Sequence, residues 1–229
     1  MNKVYLDGKK HPADAGVKSG DMVIFKGGVI FDFGSRTWEL TTKQNGKQVP
    51  LQDLTITCDD STAKPTIKFR GPADSAAIRD RGNNNTIQGI RADVGTNKNF
   101  LINNSQSVGG SLIDCWLVPN YTVEYGNVKY QVAGYGLQIG LNVGTKDKPY
   151  RIIRSGSKVP LTGGCFYFGG RNDGNTWSTP NFFYGEDLVT GVCLREHSFR
   201  CHFVGSGTLI RPRFEQTHEH PLFTWHMLV

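Results

Sequence analysis

Side chains able to carry acid–base chemistry cluster in two stretches of this chain. Glu196 and His197 lie in one predicted strand with Arg200 just beyond it, and Glu215 and His218 follow a later strand. A glycoside hydrolase needs two carboxyl groups beside the bond that it cleaves. A polysaccharide lyase instead needs a base and a cation that neutralises the uronate. These five residues are therefore the candidate catalytic set of a lyase or hydrolase, although solvated positions on surface strands explain them without catalysis.

A pair of histidines gives a weak metal-binding pattern. His218 and His220 would point to the same face of a strand and could share a metal ion. A third ligand, such as His226 or Glu215, would have to fold back onto that face. A polar surface strand explains the pair without a metal. No phosphate-binding loop or strand-turn-helix nucleotide motif is present, and we expect no cofactor.

Aromatic residues are concentrated in two stretches that are too long for simple turns, 119–135 and 169–186. Flat rings on projecting loops can stack on sugars or contact another protein, and they can also pack the loops against the body of the fold. The candidate binding residues are Tyr121, Tyr125, Tyr130 and Tyr135 in the first stretch, and Trp177, Phe182, Phe183 and Tyr184 in the second.

Short strand-like runs recur along the chain with a period of about 25 residues. The runs that begin at Ile87, Leu112 and Leu137 show this spacing most clearly. Repeats of this length cannot bury a face alone, so they predict stacking into a solenoid with these three residues in one row. Glycine and asparagine between the runs suit tight corners, and we find no long segment with helical periodicity.

The segment from Ser19 to Gly28 reads Ser-Gly-Asp, an apolar run and then Gly-Gly, and strands follow it at intervals of about 20 to 30 residues. This pattern resembles the opening of right-handed parallel β-helix proteins of the pectate-lyase-like type, which include many phage tailspikes. The resemblance implies an all-β, right-handed parallel β-helix (solenoid) with projecting loops. We expect one domain, 1–229, with a capping module at 1–40 and coils at 41–229 interrupted by the excursions 119–135 and 169–186.

Composition narrows the classes of protein that fit. The formal charge of +6 favours contact with anionic surfaces, and an acidic polysaccharide or an acidic protein fits this charge as well as nucleic acid does. Because the lysines and arginines are dispersed, a solvated basic surface explains the charge without any partner, and we expect no nucleic-acid partner. The five cysteines are odd in number and lack CxxC spacing, so we expect reduced core residues. No apolar run approaches the length of a membrane span, and no membrane contact is expected.

A conflict between fold and export decides the predicted function. The N-terminal residues carry no secretory signal, yet proteins of this resemblance usually meet glycans or other surfaces outside cells. Phage virion proteins resolve the conflict, because they are made in the host cytoplasm and released by lysis. We therefore predict a non-enzymatic virion component, such as a capsid decoration, tail or spike-associated protein, that binds neighbouring virion subunits and surface glycan.

This virion component is expected to form a homotrimer, as tailspikes do. Its predicted interface is the apolar segment that contains Phe223, Trp225, Met227 and Leu228. The alternative function is the polysaccharide lyase or glycoside hydrolase, acting on bacterial surface polysaccharide through the catalytic set named above.

Overall fold

The computed structural model describes residues 1–95, 98–104, 107–125, 127–134, 136–141, 143–169, 180–193, 199–202, 204–215 and 223–226. Within these ranges the protein is all-β, with one short 3₁₀ helix, η1, at Pro12–Asp14. The all-β prediction is confirmed. No helix in the described residues is long and apolar enough to cross a membrane.

Three long sheets account for most of the strands. Sheet A contains β1 (Lys3–Leu6), β2 (Met22–Phe25), β7 (Thr55–Cys58), β10 (Thr86–Gln88), β13 (Ser111–Ile113), β18 (Tyr150–Ile153), β21 (Asn181–Glu186) and β24 (Val204–Ile210). Sheet B contains β3 (Ile30–Asp32), β8 (Thr66–Phe69), β11 (Arg91–Val94), β14 (Trp116–Leu117), β19 (Gly156–Ser157), β22 (Val189–Thr190) and β25 (Arg213–Phe214). Sheet C contains β4 (Trp38–Glu39), β9 (Ala76–Asp80), β12 (Asn99–Asn104), β17 (Gly136–Leu141), β20 (Phe166–Gly169), β23 (Phe199–His202) and β26 (Phe223–His226).

Two antiparallel hairpins interrupt the sheets. The first is formed by β5 (Thr41–Gln44) and β6 (Lys47–Pro50), and the second by β15 (Tyr121–Tyr125) and β16 (Val128–Val132). The second hairpin lies inside the predicted excursion 119–135. The first was not predicted, although Asn45-Gly46 is a strong signal for a two-residue hairpin turn. Both turn residues have positive φ, 51° and 75°.

The chain visits the three sheets in rotation. After β1, each strand of sheet A is followed by one of sheet B and one of sheet C, and the chain then returns to sheet A one strand further along. We call each passage a rung, and seven rungs, from β2–β4 to β24–β26, lie within the described residues. Pairing within the three sheets is parallel throughout these rungs, as crossover connections require.

A row of buried aliphatic residues runs along sheet A and links the rungs. Val23, Ile56, Ile87, Leu112 and Ile152 occupy the same register position on successive strands, and each is at most 1% exposed. Each residue therefore covers the apolar surface of its neighbour on the adjacent rung, which is the principal stabilising contribution to a fold built from short strands.

The prediction that Leu137 continues the row of Ile87 and Leu112 is wrong. Leu137 lies on β17 of sheet C, and the residue that follows Leu112 in sheet A is Ile152. The β15–β16 hairpin is inserted between β14 and β17, so this rung is longer than the preceding one. Along this row the successive residues are 33, 31, 25 and 40 positions apart, so a fixed period of 25 residues holds only from Ile87 to Leu112.

The corner between sheets A and B repeats from rung to rung. Its residues, each directly after a strand of sheet A, are Gly89, Asp114, Arg154, Asp187 and Arg211, and all have positive φ between 46° and 70°. The backbone N–H of each of the first four donates to the carbonyl just before the next corner, at 2.8–3.0 Å. Asn84 has positive φ at a different corner, before β10, so asparagine is not the residue that builds the A–B corner.

Two predicted boundaries need correction. Residues 181–186, assigned to a loop excursion, form β21, which pairs with β18 and β24 in sheet A. The alternating burial of this strand, with every second side chain inside, is the period-two pattern of a strand rather than a loop. The capping module 1–40 already contains the first complete rung, β2–β4.

Candidate functional site

A groove opens on the outer face of sheet B, where the chain leaves β14 for the β15–β16 hairpin. It has a volume of about 280 Å³. Its walls combine three cationic side chains and one indole with short aliphatic residues. The lining residues are Lys64, Arg91, Trp116, Leu117, Val118, Pro119, Lys158 and Val159. We call this the sheet B groove.

The A–B corner fixes the indole at the centre of the groove. Asp114 has φ +52° at this corner, which directs its carboxylate back toward β14. Its Oδ1 accepts hydrogen bonds from Trp116 Nε1 at 2.8 Å and from Lys64 Nζ at 2.7 Å. A charge-assisted pair of this kind holds both partners in one orientation. Trp116 is therefore positioned by the backbone geometry of its own rung.

Three successive rungs place their side chains side by side in the groove. Arg91 on β11 is in direct register with Trp116 on β14, and Trp116 is in register with Gly156 on β19, two residues before Lys158. Neighbouring strands of a sheet are about 4.8 Å apart, so Arg91 and Trp116 start from adjacent positions on the sheet. Lys158 Nζ is 4.9 Å from the centre of the Trp116 ring, within cation–π range.

The groove has positive charge beyond what its own acids neutralise. Lys64 is paired with Asp114, but Arg91 and Lys158 have no carboxylate partner among the described residues. Both side chains are exposed. An aromatic face with flanking unpaired cations can bind a ligand that combines a flat apolar surface with negative charge. The arrangement has the chemistry of a binding site.

The hairpin beside the groove is attached to the body of the fold. Tyr121 OH lies 2.8 Å from Thr162 Oγ1, and Asn120 Nδ2 donates to Asp93 Oδ1 at 2.8 Å. Asp93 also accepts from Arg70 Nη2 at 2.8 Å. These contacts hold the base of the hairpin against neighbouring rungs, so the wall that begins at Pro119 is fixed in place.

The structure describes two of the five residues of the predicted catalytic set. Glu196, His197 and His218 lie outside the described residues. Arg200 is on β23 of sheet C with its guanidinium carbon 5.4 Å from the centre of the Tyr167 ring, whereas Glu215 follows β25 of sheet B. The two described members of the set are therefore on different sheets.

The residues of the predicted metal site and of the predicted interface also lie largely outside the described part of the chain. His218 and His220 lie outside the described residues, and within the described ranges no cluster of three or more His, Cys, Asp or Glu side chains could hold a metal ion. Phe223 and Trp225 belong to β26, the terminal strand of sheet C, while Met227 and Leu228 lie outside the described residues.

The structure places the predicted aromatic binding residues in different parts of the fold. Tyr121 joins the hairpin to the body of the fold, as described above. Tyr125 and Tyr130 lie on β15 and β16, and Tyr135 and Trp177 are outside the described residues. Phe183 is 2% exposed in the core and stacks on Phe168 at 4.5 Å, so it cannot present its ring to a ligand.

Phe182 and Tyr184 lie on the outer face of sheet A. Tyr184 belongs to a cluster that we call the charged corner, formed by Tyr184, Glu186, Asp187 and Arg211. Glu186 accepts from Tyr184 OH at 2.9 Å and from Arg211 at 2.7 Å. Arg211 also donates twice to Asp187, at 2.8 and 3.0 Å. These hydrogen bonds raise the pKa of Tyr184 and lower that of Asp187.

A buried carboxylate lies in the interior, away from the groove. Asp80 is 1% exposed and accepts from Gly82 N–H at 2.9 Å, Asn85 Nδ2 at 2.7 Å and Asn103 Nδ2 at 3.2 Å. Asn103 in turn accepts from Gln138 Nε2 at 2.9 Å. Burial raises the pKa of Asp80 to about 6, because the three donors only partly replace water.

Sequence reasoning missed the sheet B groove, although one signal for it was present. Arg91 and Trp116 are one repeat period apart, which predicts adjacent positions on neighbouring rungs. The same spacing could not identify Lys158, because the inserted β15–β16 hairpin separates it from Trp116 by more than one repeat period. Lys64 is linked to Trp116 through Asp114, which accepts hydrogen bonds from both residues in the folded protein.

Comparisons with known proteins assign no family to this chain. No family model and no curated protein match this chain. Among solved structures it is similar to an alginate lyase from Paenibacillus sp. str. FPU-7, with 10% sequence identity and a TM-score of 0.27 over 96% of this chain and 98% of that one. A likeness of this size carries no argument about fold or function, so the groove is interpreted from its own geometry.

Proposed function

We propose that this protein is a right-handed parallel β-helix that binds an acidic polysaccharide in the sheet B groove. The observation that carries the proposal is the Trp116 ring with Lys158 Nζ 4.9 Å from its centre and Arg91 in register on the adjacent strand, two cations without a carboxylate partner in the described part of the chain. Aromatic faces stack on sugar rings, and cations bind the acidic groups that such sugars carry.

The right-handed sense follows from a general rule for parallel strands. A right-twisted strand that crosses over to a parallel neighbour returns to its sheet in the right-handed direction. The seven rungs of the described residues cross between parallel strands through sheets B and C, so this rule favours one handedness for all of them. The resemblance noted in the sequence supports the same fold.

Binding is favoured over catalysis by the carboxylates of the groove. Asp114, behind the lining, is fixed by Lys64 and the Trp116 indole, and none of the described lining residues carries a carboxylate. An acid and base pair needs two such groups at a defined separation. The lyase or hydrolase predicted from the sequence stays a prediction, because most of its catalytic set lies outside the described residues.

The virion role, the homotrimer and the partnership with other virion subunits also stay predictions. They are compatible with a glycan-binding groove, because a surface protein of a particle can hold polysaccharide without cleaving it. Light scattering of the purified protein would test the trimer. A monomer at all accessible concentrations would remove that part of the hypothesis.

The test of the proposed function is a titration with sodium polygalacturonate at low and high salt, with neutral dextran as the control. We expect binding to polygalacturonate that weakens as the salt concentration rises, because salt screens the exposed Arg91 and Lys158 charges from the carboxylates of the polymer. We expect no binding to dextran, which carries no charge. Chain length is followed in the same samples, because shortening would favour the enzymatic alternative. Equal binding of both polymers would contradict the proposal.

A further inference from the structure

The N-terminal segment covers the first rung incompletely. β1 pairs with β2 at the edge of sheet A, and the chain then crosses the end of sheet B before η1 reaches the end of sheet C. A further strand would be expected over β4 if this segment were a full rung. In its place is η1, whose first residue, Pro12, has no N–H to donate to a sheet.

η1 is anchored beside β4 rather than paired with it. His11 Nδ1 accepts from Ala13 N–H at 3.2 Å, so its other nitrogen, Nε2, carries the proton and donates to Arg36 O at 3.2 Å. The Arg36 guanidinium donates to both oxygens of Asp14, at 2.7 and 2.8 Å. These contacts hold η1 at the corner before β4 and leave the strand itself uncovered.

The exposed edge of β4 has a backbone donor and acceptor without partners. Trp38 is in register with Ile78, and Leu40 N–H donates to Arg79 O at 2.9 Å. In a parallel ladder alternate residues point to opposite edges, so the N–H and C=O of Glu39 face away from β9. No described residue forms a hydrogen bond to either group.

A cavity of about 440 Å³ lies in front of this edge, between η1 and the β5–β6 hairpin. Its floor is Trp38 and Glu39, and its far wall includes Thr41, Thr42, Lys43 and Gln48 on the hairpin. The two other charged groups of the lining are already paired, Arg36 with Asp14 and Glu39 with Arg79. Lys43 has no carboxylate partner within the described residues.

We propose that the edge of β4 binds an extended peptide strand that carries an acidic side chain. Unpaired backbone groups on a sheet edge are a template for another strand, and β-strand addition is a recurring mode of peptide recognition. Glu39 supplies the two backbone hydrogen bonds, and Lys43 selects an acidic residue of the peptide. The partner is a segment of another protein, added as the missing strand of sheet C.

The test uses the full chain and an eight-residue peptide of alternating threonine and valine with one central glutamate. The backbone amide of Glu39 is followed by NMR and hydrogen exchange. In the free protein this amide should exchange rapidly while those of Trp38 and Leu40 are protected. Adding the peptide should shift and protect it. Protection of Glu39 in the free protein at low concentration would overturn the proposal.

Reversing the charges of Lys43 and of the peptide tests whether Lys43 recognises the acidic side chain. Lys43→Glu should weaken binding of the glutamate peptide by about two- to fivefold, and a peptide with lysine in place of glutamate should restore it. Lys47→Glu, on the same hairpin but outside the cavity lining, is the matched control and should leave affinity unchanged. Equal effects of the two substitutions would contradict the assignment of Lys43.

Two further outcomes would also overturn the proposal. A peptide methylated at alternate backbone nitrogens should bind at least tenfold more weakly, because the edge hydrogen bonds are lost. Equal affinity would show that the peptide is not added as a strand. Protection of Glu39 that rises with protein concentration without peptide would mean that a second copy of this chain occupies the edge instead.

Discussion

The sheet B groove and the charged corner of sheet A both contain arginine, acidic and aromatic side chains, but they use them differently. In the charged corner Arg211 is saturated by Glu186 and Asp187, and Tyr184 donates to Glu186. In the groove Asp114 is engaged by Lys64, and the remaining cations have no acid within the described residues. A cluster that neutralises itself serves the fold, whereas one with surplus charge can serve a ligand.

The corner also shows what a cation does for a carboxylate, which sets the expectation for Asp80. Arg211 lowers the pKa of Asp187, while Asp80, buried without a cation, has its pKa raised to about 6. The largest expected effect is therefore a pH-dependent change in stability caused by the buried Asp80. Asp80 contributes full stability below its ordinary pKa of 3.8, and this contribution is lost as the pH rises through about 6.

Asp80→Asn should remove this pH dependence. Relative to wild type, the variant should gain roughly 3 kcal/mol of unfolding free energy between pH 3.5 and pH 7.5, since each pKa unit corresponds to about 1.4 kcal/mol. The Asn103 and Gln138 amides can flip to accept the new donor, because Gln138 Oε1 has no partner in the described structure. Urea unfolding at the two pH values measures the gain, and a constant difference between the proteins would contradict it.

Trp116→Ala should produce the largest loss of ligand binding. Removing the aromatic face should weaken polygalacturonate binding at least tenfold, as expected for a central aromatic anchor. Tyr5→Ala is the matched control, because Tyr5 is an exposed aromatic residue on sheet A, 67% accessible. Calorimetric titration compares the two. A similar loss of affinity in both variants would mean that the polysaccharide does not bind specifically in the groove.

Single cation substitutions should have smaller effects and should separate the two regions most directly. Arg91→Ala and Lys158→Ala should each weaken binding by about three- to fivefold and reduce its salt dependence. Arg211→Ala should leave the affinity unchanged and lower the thermal midpoint slightly, since its partners are two acids of the fold. If Arg211→Ala weakens binding as much as Arg91→Ala, surplus charge is not what distinguishes the groove.

The smallest effect concerns the corner backbone. Arg154 has φ +46°, which is unfavourable for a residue with a side chain, so Arg154→Gly should stabilise the protein by roughly 0.5–1 kcal/mol. Arg151→Gly, in the extended backbone of β18, should destabilise it instead. Chemical denaturation of both variants checks the signs. A loss of stability in Arg154→Gly would indicate that the side chain matters more than the corner conformation.

The sequence predicts the all-β class and the adjacency of Ile87 and Leu112, because apolar runs at equal spacing have one simple packing solution. It fails at Leu137, since an inserted hairpin changes the spacing without changing the composition of the strands. The burial of Phe183 was missed for a related reason: flanking glycines and polar residues made 169–186 resemble a loop. The C-terminal part of that stretch, 181–186, is strand β21 of sheet A.

The candidate site was harder to predict than the fold. Arg91 and Trp116 were one period apart and could have been joined, but neither belongs to a catalytic or metal-binding pattern. The unpaired state of Arg91 and Lys158 depends on where every nearby acid lies, and Asp93 and Asp114 are occupied by Arg70 and Lys64. That distribution is a property of the assembled rungs.

The most direct test of the account is a hydrogen-exchange footprint of the full chain with and without polygalacturonate. Binding in the groove should slow exchange in 114–119, which contains Trp116, and in 156–159 on the next rung, and should leave exchange unchanged in 185–188 and 209–212, which contain residues of the charged corner. Protection confined to the charged corner, or equal protection of both regions, would contradict the assignment of the binding site to the sheet B groove.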